Sequence, residues 1–431
     1  MNFADALAYL DSHSNYDRSG RILSPTTERM ERLMAVMGDP QRVAPVIHIT
    51  GTNGKGSTAQ IITRLLMAHG LRVGTYTSPH LERINERITI DAEMISDQAF
   101  ADQIAALADL ELVAGVSPTY FELVTAAAFR WFADEAVDVM VLEVGMLGRW
   151  DATNVADGQV CVVTNVGMDH ADYAGGGLDA IAREKSGIIK PGCVAVIGET
   201  DPALVRVVRE APAERFFERD VDFEVLVNDL ALGGRSLDIR TPGATYGGLY
   251  LALHGTHQGE NAATALMAVE AFFGAPVAEE LVAEAFAAVT WGGRFEVIGH
   301  QPLVIIDGAH NPHGADRCAE VFFRDFDPAG RRVLLFGCLQ ERDPVALLEA
   351  LRADEFDTVY CTTAPSPRGV PAADVALAAT EVGCDDVLVV DDLAQACAAA
   401  YRQLGHDDAL LVCGSLYVIG DARPILKALA P

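Results

Sequence analysis

Basic side chains are scarce in this chain: 32 Lys and Arg stand against 61 Asp and Glu, a formal net charge of -29 at pH 7. So acidic a surface repels polyanions, which argues against nucleic acid and anionic membrane as partners. A salt-adapted host would account for the same acidity. The eight cysteines are scattered, without a C-x-x-C pair or metal-ligand spacing. Most sit in apolar runs (Cys161, Cys361, Cys413) and read as buried thiols. No apolar run reaches the ~18 residues that would suggest a membrane span. Residues 1–10 lack a basic stretch followed by an apolar one, so no signal peptide is expected. A reducing cytoplasm fits these absences. Internal repeats and low-complexity segments are also missing.

What remains is a 431-residue chain, half hydrophobic and 22% charged, which is ordinary globular composition. Its length exceeds what one core usually supports, so two domains are expected. Short apolar runs alternate with helical patterns, the signature of α/β architecture with parallel sheets. In the first half the runs fall at 46–50, 72–78, 137–144, 160–166 and 194–198, with helices near 57–69, 96–108, 120–134 and 178–188. The stretch 223–253 alternates in polarity between glycine turns and reads as antiparallel strands on an edge. A helical hairpin is expected over 259–289. The pattern then restarts, with runs at 303–307, 332–336, 358–362, 387–390 and 409–413. The turn Trp291-Gly292-Gly293-Arg294 marks the boundary, giving domains 1–293 and 294–431.

The heptapeptide Gly51-Thr52-Asn53-Gly54-Lys55-Gly56-Ser57 lies between an apolar run and an amphipathic segment. Strand, glycine turn, helix is the context of a phosphate-binding loop. Glycines let backbone N–H groups converge on a phosphate, the helix N-terminus adds a favourable dipole, and Lys55 can place a charge on the β- and γ-phosphates. The match to the general P-loop is imperfect, because Gly56 stands between the lysine and the hydroxyl of Ser57. A glycine turn with no ligand is the plainer reading. Each later run of the first half also ends in reactive side chains: Ser78 and His80, then Glu143 and Asp151, then Asp169 and His170, with Lys185 on the next helix. Such strand ends face one crevice in α/β folds. A hydroxyl, a carboxylate and an imidazole there can hold a divalent cation that keeps its other positions for phosphate and water. Singly, Glu143 could instead pair with Arg149, and His170 could cap a helix.

Six segments in this order then carry a specific resemblance: Thr50 to Ser57, Tyr76-Thr77-Ser78-Pro79-His80-Leu81, Asn85-Glu86-Arg87-Ile88, Asp151-Ala152-Thr153-Asn154, Glu184-Lys185-Ser186-Gly187-Ile188 and Asp307-Gly308-Ala309-His310-Asn311-Pro312. Together they resemble the folylpolyglutamate synthase / dihydrofolate synthase family of the Mur ligase superfamily, over nearly the whole chain. The resemblance implies a P-loop-type parallel-sheet ATPase domain followed by a smaller Rossmann-like α/β domain. It implies an ATP-dependent ligase that adds L-glutamate to a pteroate or folate carboxylate through an acyl phosphate.

By the same resemblance Thr52, Asn53, Gly54, Lys55, Gly56, Ser57 and Asn261 hold ATP, joined by Arg294 and Asp307 from the second domain. Ser78 and Glu143 become ligands of one Mg²⁺, a role the general P-loop would give to Ser57, and His170 serves a second. Lys185 becomes a carbamylated lysine that binds metal, although a lysine near a helix end often only complements the dipole. Asp151 joins Lys55, His170 and Lys185 in the catalytic set. Ser24, Pro25, Thr26, Phe121, Trp150 and Asp151 fall on the acceptor side, and His310 and Ser415 help receive the glutamate. A monomer is the family expectation.

The chain departs from the family where Gly145-Met146-Leu147-Gly148-Arg149-Trp150-Asp151 replaces the usual Gly-Leu-Gly-Gly-Arg-(Leu/Phe)-Asp. Leu147 and Trp150 either reshape the wall of the acceptor pocket or only pack the loop. A second departure is the run Gly175-Gly176-Gly177. Two rival functions remain at this stage. A cell-wall-type ligase with a non-folate acceptor would be expected to have a further domain in front, and little chain precedes Gly51. A nucleotide-binding protein without catalysis would not need Lys55, Ser78, Glu143, His170 and Lys185 together.

Overall fold

The computed structural model describes residues 1–15, 25–169 and 171–430. These fall into two compact units, one built from residues up to Val289 and the other from Thr290 onward together with Leu253–Thr256.

The main sheet of the first unit contains β1 (Val46–Thr50), β2 (Val73–Tyr76), β3 (Ile88–Ile90), β4 (Glu93–Met94), β5 (Val139–Glu143), β6 (Val160–Val163), β7 (Val194–Ile197) and β8 (Arg215–Glu218). Their order is β4-β3-β2-β5-β1-β6-β7-β8. The sheet is parallel from β2 to β8, and β3 and β4 extend one edge antiparallel. Strands covered on both faces read as unbroken apolar runs, and every residue of β1 and β5 is buried. β1 lies between β5 and β6, with Ile49 opposite Glu143 and Thr50 opposite Val163. The loops leaving these three strands therefore start at one level. That register builds the site.

The stretch expected as edge strands forms instead a separate antiparallel sheet, β9 (Glu224–Ala231), β10 (Gly234–Arg240) and β11 (Thr245–Leu251), in the order β11-β10-β9. Leu237, Ile239, Leu249 and Leu251 are buried while Leu230 and Tyr250 are exposed, so one face is covered and the other wet. The helices Thr256–Phe273 and Glu279–Ala287 follow as the hairpin. The sequence pattern does not reveal β8: Arg215 and Glu218 interrupt its apolar character.

The second unit carries β12 (Glu296–His300), β13 (Leu303–Ile306), β14 (Arg332–Phe336), β15 (Thr358–Cys361), β16 (Val387–Val389) and β17 (Ala409–Cys413). The order is β12-β13-β17-β14-β15-β16, all parallel except β12. The last strand thus inserts between the first two parallel ones, and loops 307–311, 337–341, 362–369 and 414–415 share one rim. Phe295, Phe322, Phe336, Leu348 and Leu411 lie in its core. All eight cysteines of the chain are buried and free of disulfides. Among the described residues, no helix is long and apolar enough to cross a membrane.

Close packing of the first sheet is testable at Gly74, where an added Cβ would lie 2.7 Å from the Phe132 ring. Gly74→Val should cost about 1–3 kcal/mol by overpacking. The fall would appear in the thermal midpoint of the purified protein, and an unchanged midpoint would contradict this packing.

Candidate active site

Residues 51–54 leave the C-terminal end of β1 and enter the helix Lys55–Ala68, whose N-cap Gly54 has φ 81. The ladder of this helix opens with the bond from Thr58 N–H to the Gly54 carbonyl. The N–H groups of residues 54–57 are therefore donors that the helix itself does not satisfy. Two glycines are required by close approach. A Cβ on Gly51 would sit 1.8 Å from Thr164 Oγ1, and one on Gly54 would sit 2.4 Å from Asn261 Oδ1. Asn261 is buried in the helix Thr256–Phe273 and donates to Gln258 Oε1 at 3.0 Å. Lys55 Nζ arches back to the carbonyls of Gly51 and Thr52, at 3.0 and 3.2 Å.

Thr52 and Asn53 direct their amides inward. Thr52 N–H donates to the Asn165 carbonyl at 3.0 Å, and Asn53 N–H donates to Asn165 Oδ1 at 2.9 Å. Thr164 Oγ1 donates to the Asn53 carbonyl at 2.7 Å. Asn165 and Thr164 thus hold the loop, a role that the sequence reading did not assign. The signal available was their place as the two polar residues near the end of the fourth apolar run, 160–166.

The next strand ends meet as expected. Ser78 N–H donates to Glu143 Oε2 at 3.0 Å, joining the end of β2 to the end of β5. Arg149 does not pair with Glu143; its guanidinium lies 3.2 Å from Glu184 Oε1. Lys185, the last residue of the helix Gly177–Lys185, is buried. Burial first, and the charge of Lys55 second, hold its amine well below the ordinary lysine range, while Asp169 pulls the other way. The charged form of the amine is thus disfavoured beside the P-loop lysine. His170 lies outside the described residues, and among those described no group of three or more His, Cys, Asp or Glu could hold a metal ion. The oxygens of Ser78 and Glu143 nevertheless suit Mg²⁺, which takes few protein ligands.

Asp151 is buried, which raises its pKa. Its carboxylate accepts from Thr153 N–H at 2.9 Å, Thr153 Oγ1–H at 2.6 Å and Met146 N–H at 3.0 Å. Because the threonine proton goes to Asp151, the 2.8 Å contact between His48 Nε2 and Thr153 Oγ1 makes His48 the donor there. Burial lowers the His48 pKa to about 3, so this imidazole stays neutral. The sequence reading passed over His48 as the partner of Thr153, because a histidine inside an apolar strand gives no outward sign of a partner.

Leu147 has φ 55, in the left-handed region that favours glycine. Its side chain is buried in the hydrophobic cluster that includes Val144, Val163, Val166 and Ile181, and its carbonyl accepts a hydrogen bond from Thr50 Oγ1. It therefore packs the loop onto the sheet. Trp150 is half exposed. The Gly175-Gly176-Gly177 run has φ of 87, 90 and 73, three successive positions that L side chains rarely adopt.

Among the residues expected to face the acceptor, the Phe121 ring covers the loop after β5: a Cβ on Gly145 would lie 2.4 Å from it. Tyr120 is buried beneath the Arg87 guanidinium, 5.9 Å from the ring centroid, and Arg87 Nε donates to His80 Nδ1 at 2.9 Å. Thr26 Oγ1 accepts from Glu28 N–H at 3.1 Å beside the exposed Pro25. Ser24 lies outside the described residues.

In the second unit, Asp307 follows β13 and accepts from Phe295 N–H at 2.7 Å and Ala309 N–H at 2.8 Å. Burial raises its pKa, while nearby Arg294 opposes that rise. Gly308 leaves room for Arg294, whose Nη1 would stand 2.4 Å from a Cβ there. His310 Nδ1 lies 2.8 Å from the Gly308 carbonyl. Ser415 follows β17 and accepts from Tyr417 N–H at 3.2 Å as a helix N-cap.

Residues 49–269 match the family model of the Mur ligase middle domain, and residues 293–416 match that of the Mur ligase glutamate ligase domain. The chain is thus a two-part Mur ligase. Dihydrofolate synthase/folylpolyglutamate synthase of Mycobacterium tuberculosis is 39% identical, covering 94% of this chain and 90% of the relative. Its counterpart in Escherichia coli is 32% identical over 99% and 96%. Among solved structures, Mycobacterium tuberculosis folylpolyglutamate synthase complexed with ADP and AMPPCP superposes with a TM-score of 0.91 at 37% identity, covering 98% of both chains. Escherichia coli FolC in complex with DHPP and ADP gives 0.88 at 32% identity, covering 99% and 98%. The chain belongs to the dihydrofolate synthase/folylpolyglutamate synthase family.

Leu147→Gly sets two effects against each other. Releasing a left-handed leucine gains about 1–2 kcal/mol, and emptying its buried site loses about 2–5 kcal/mol. Net destabilisation is expected in urea unfolding of the two proteins. A more stable variant would show that backbone strain outweighs the packing.

Proposed function

We infer that this chain is an ATP-dependent acid–amino-acid ligase that joins L-glutamate to a folate-type carboxylate, dihydropteroate or a folylglutamate. The observation that carries this reading is the P-loop and the Ser78–Glu143 contact at adjacent strand ends of one sheet, with Lys185 buried at a helix end within reach of the charge of Lys55. It occurs in a chain that matches 90% and 96% of the length of two relatives named dihydrofolate synthase/folylpolyglutamate synthase. The cell-wall alternative draws no comparable support.

A carboxylate is a poor electrophile, and phosphorylation turns one of its oxygens into a leaving group. In the first step a carboxylate oxygen of the acceptor attacks the γ-phosphorus of ATP and ADP departs. The glutamate amine then adds to the acyl carbon and loses its proton, and the tetrahedral centre collapses to amide and phosphate. Negative charge gathers on phosphoryl oxygens in the first step and on the former carbonyl oxygen in the second. We assign Lys55 and the amides of residues 54–57 to stabilising the former. We assign Thr52, Asn53 and Asn261 to shaping the nucleotide loop, and Arg294 and Asp307 to the nucleotide. His310 and Ser415 are assigned to the glutamate. Asp151, engaged by Thr153 and Met146, is assigned to positioning the loop that carries Trp150. Pro25, Thr26 and Phe121 are assigned to the acceptor.

A divalent metal is part of the reading, with Ser78 and Glu143 as ligands of Mg²⁺ and His170 at a second ion. When bound, the metal would neutralise phosphate charge and orient the transferring group. Lys185 suits carbamylation, because only an unprotonated amine adds CO₂, releasing one proton as the carbamate forms. A monomeric cytoplasmic enzyme completes the proposal.

Phosphate release from ATP should require both L-glutamate and a pterin acceptor, either dihydropteroate or tetrahydrofolate. Activity with a muramoyl nucleotide and with neither pterin would sink the assignment. Lys185→Ala should lower kcat by roughly a hundredfold or more. The parent, but not the variant, should show a carbamate carbon after ¹³C-bicarbonate labelling. Activity should fall as the pH drops through the depressed Lys185 pKa, where the amine takes a proton and the carbamate cannot re-form. Bicarbonate-independent turnover with no labelled carbon would remove the carbamate.

A further inference from the structure

Glutamate differs from its uncharged relatives by a side-chain carboxylate, and a chain with a net charge of -29 must supply a local cation to bind it. The rim of the second unit's sheet offers few. Loops 307–311, 337–342, 362–369 and 414–417 contain three basic side chains, His310, Arg342 and Arg368. Of these, Arg368 alone is buried.

Arg368 sits in Ala364-Pro365-Ser366-Pro367-Arg368-Gly369, where two prolines restrict the backbone and two short turns close it. Ser366 N–H donates to the Ala364 carbonyl at 2.7 Å, and Gly369 N–H donates to the Ser366 carbonyl at 2.9 Å. Gly369 is needed there, since its Cβ would lie 2.4 Å from the Ala364 carbonyl oxygen. The loop is stitched to the neighbouring strand end by Gln340 N–H to the Arg368 carbonyl at 2.8 Å. The guanidinium is held in advance, which lowers the ordering cost of binding.

Its partners identify the chemistry. Nη1 lies 3.0 Å from Glu341 Oε1, and the guanidinium also hydrogen-bonds to the Tyr417 side chain. Tyr417 in turn donates its N–H to Ser415, one of the residues assigned to the amino acid. Arg368 is therefore tied to that end of the rim, and it already carries a glutamate carboxylate supplied by the chain. Glu341 is 37% exposed against 11% for Arg368. It can swing to solvent while a second carboxylate takes its place. Such an exchange keeps the buried charge paired throughout, avoiding the cost of an uncompensated ion. A planar guanidinium fork matches a carboxylate with two parallel hydrogen bonds, as a lysine cannot.

We propose that Arg368 receives the side-chain carboxylate of the incoming L-glutamate, with Glu341 as its resident partner until the substrate arrives. This rests on the ligase reading above and adds to it the group that selects the amino acid.

The test is steady-state kinetics of the full chain with ATP, the pterin acceptor it uses, and either L-glutamate or L-glutamine. In Arg368→Ala the KM for glutamate should rise roughly 30-fold or more, the usual loss on truncating one partner of a buried charge pair. The KM values for ATP and acceptor should stay within about twofold, and the preference for glutamate over glutamine should collapse to about threefold. Arg368→Lys keeps the charge without the fork and should lie between; it decides the matter if the alanine variant does not fold. A purely structural ion pair would move the melting temperature and leave the selectivity alone. An unchanged glutamate KM, or a raised one with selectivity intact, overturns the assignment. A parent protein that releases no phosphate with any pterin fails the ligase reading itself. An active parent whose variants behave like it fails only this inference.

Discussion

The first unit is organised around the close approach of the P-loop backbone to the end of β6. Gly51 passes so near Thr164 that a methyl group there would fall 1.8 Å from its hydroxyl oxygen. That approach lets Asn165 take the amides of Thr52 and Asn53 and Thr164 take the Asn53 carbonyl. With these inward groups satisfied, the amides of residues 54–57 are left at the helix mouth, where the dipole favours an anion. Loop, strand end and helix form one hydrogen-bonded object. The geometry of this loop is thus a consequence of where β1 sits, between β5 and β6.

The same register explains the rest of the first unit's site. Opposite Ile49 stands Glu143, and the Ser78 amide reaches it from β2. Asp151 ties the loop after Glu143 to β1 through Thr153 and His48. Leu147 pins that loop from below and accepts a bond from Thr50. A leucine at a left-handed position is tolerable here because its side chain is buried in a well-filled core. Burying Lys185 beside another lysine destabilises its charged form.

Much of the architecture was legible because the strands are buried on both faces and so leave unbroken apolar runs. The helix and strand pattern of the first sheet, the hairpin after residue 256 and the second parallel sheet all followed from that pattern. Strands with charged ends, such as Arg215–Glu218 and Glu296–His300, left no such trace. The separate sheet of β9 to β11 was visible as alternating strands, yet its detachment was not, since period-two alternation reports one wet face and not the identity of the neighbour. Among site residues, those in glycine-rich or charged motifs stood out. His48, Thr164 and Asn165 did not, since a polar residue inside or just after an apolar strand looks the same whether or not it has a partner.

By itself the sequence determined the class of chemistry. Glycines at 51 and 54, a lysine at 55, and acidic, hydroxyl and amine groups after successive strands are local features, readable wherever the chain puts them. Tertiary structure decided which of those groups meet and in what state. It brought Ser78 to Glu143, turned Asp151 inward as an anchor, sent Leu147 into the core and buried Lys185 where its charged form is disfavoured. It also seated Glu341 on Arg368, two residues in loops after different strands that no spacing rule connects. Proximity across a sheet, and the loss of water that comes with burial, depend on strand order, which the linear chain does not display.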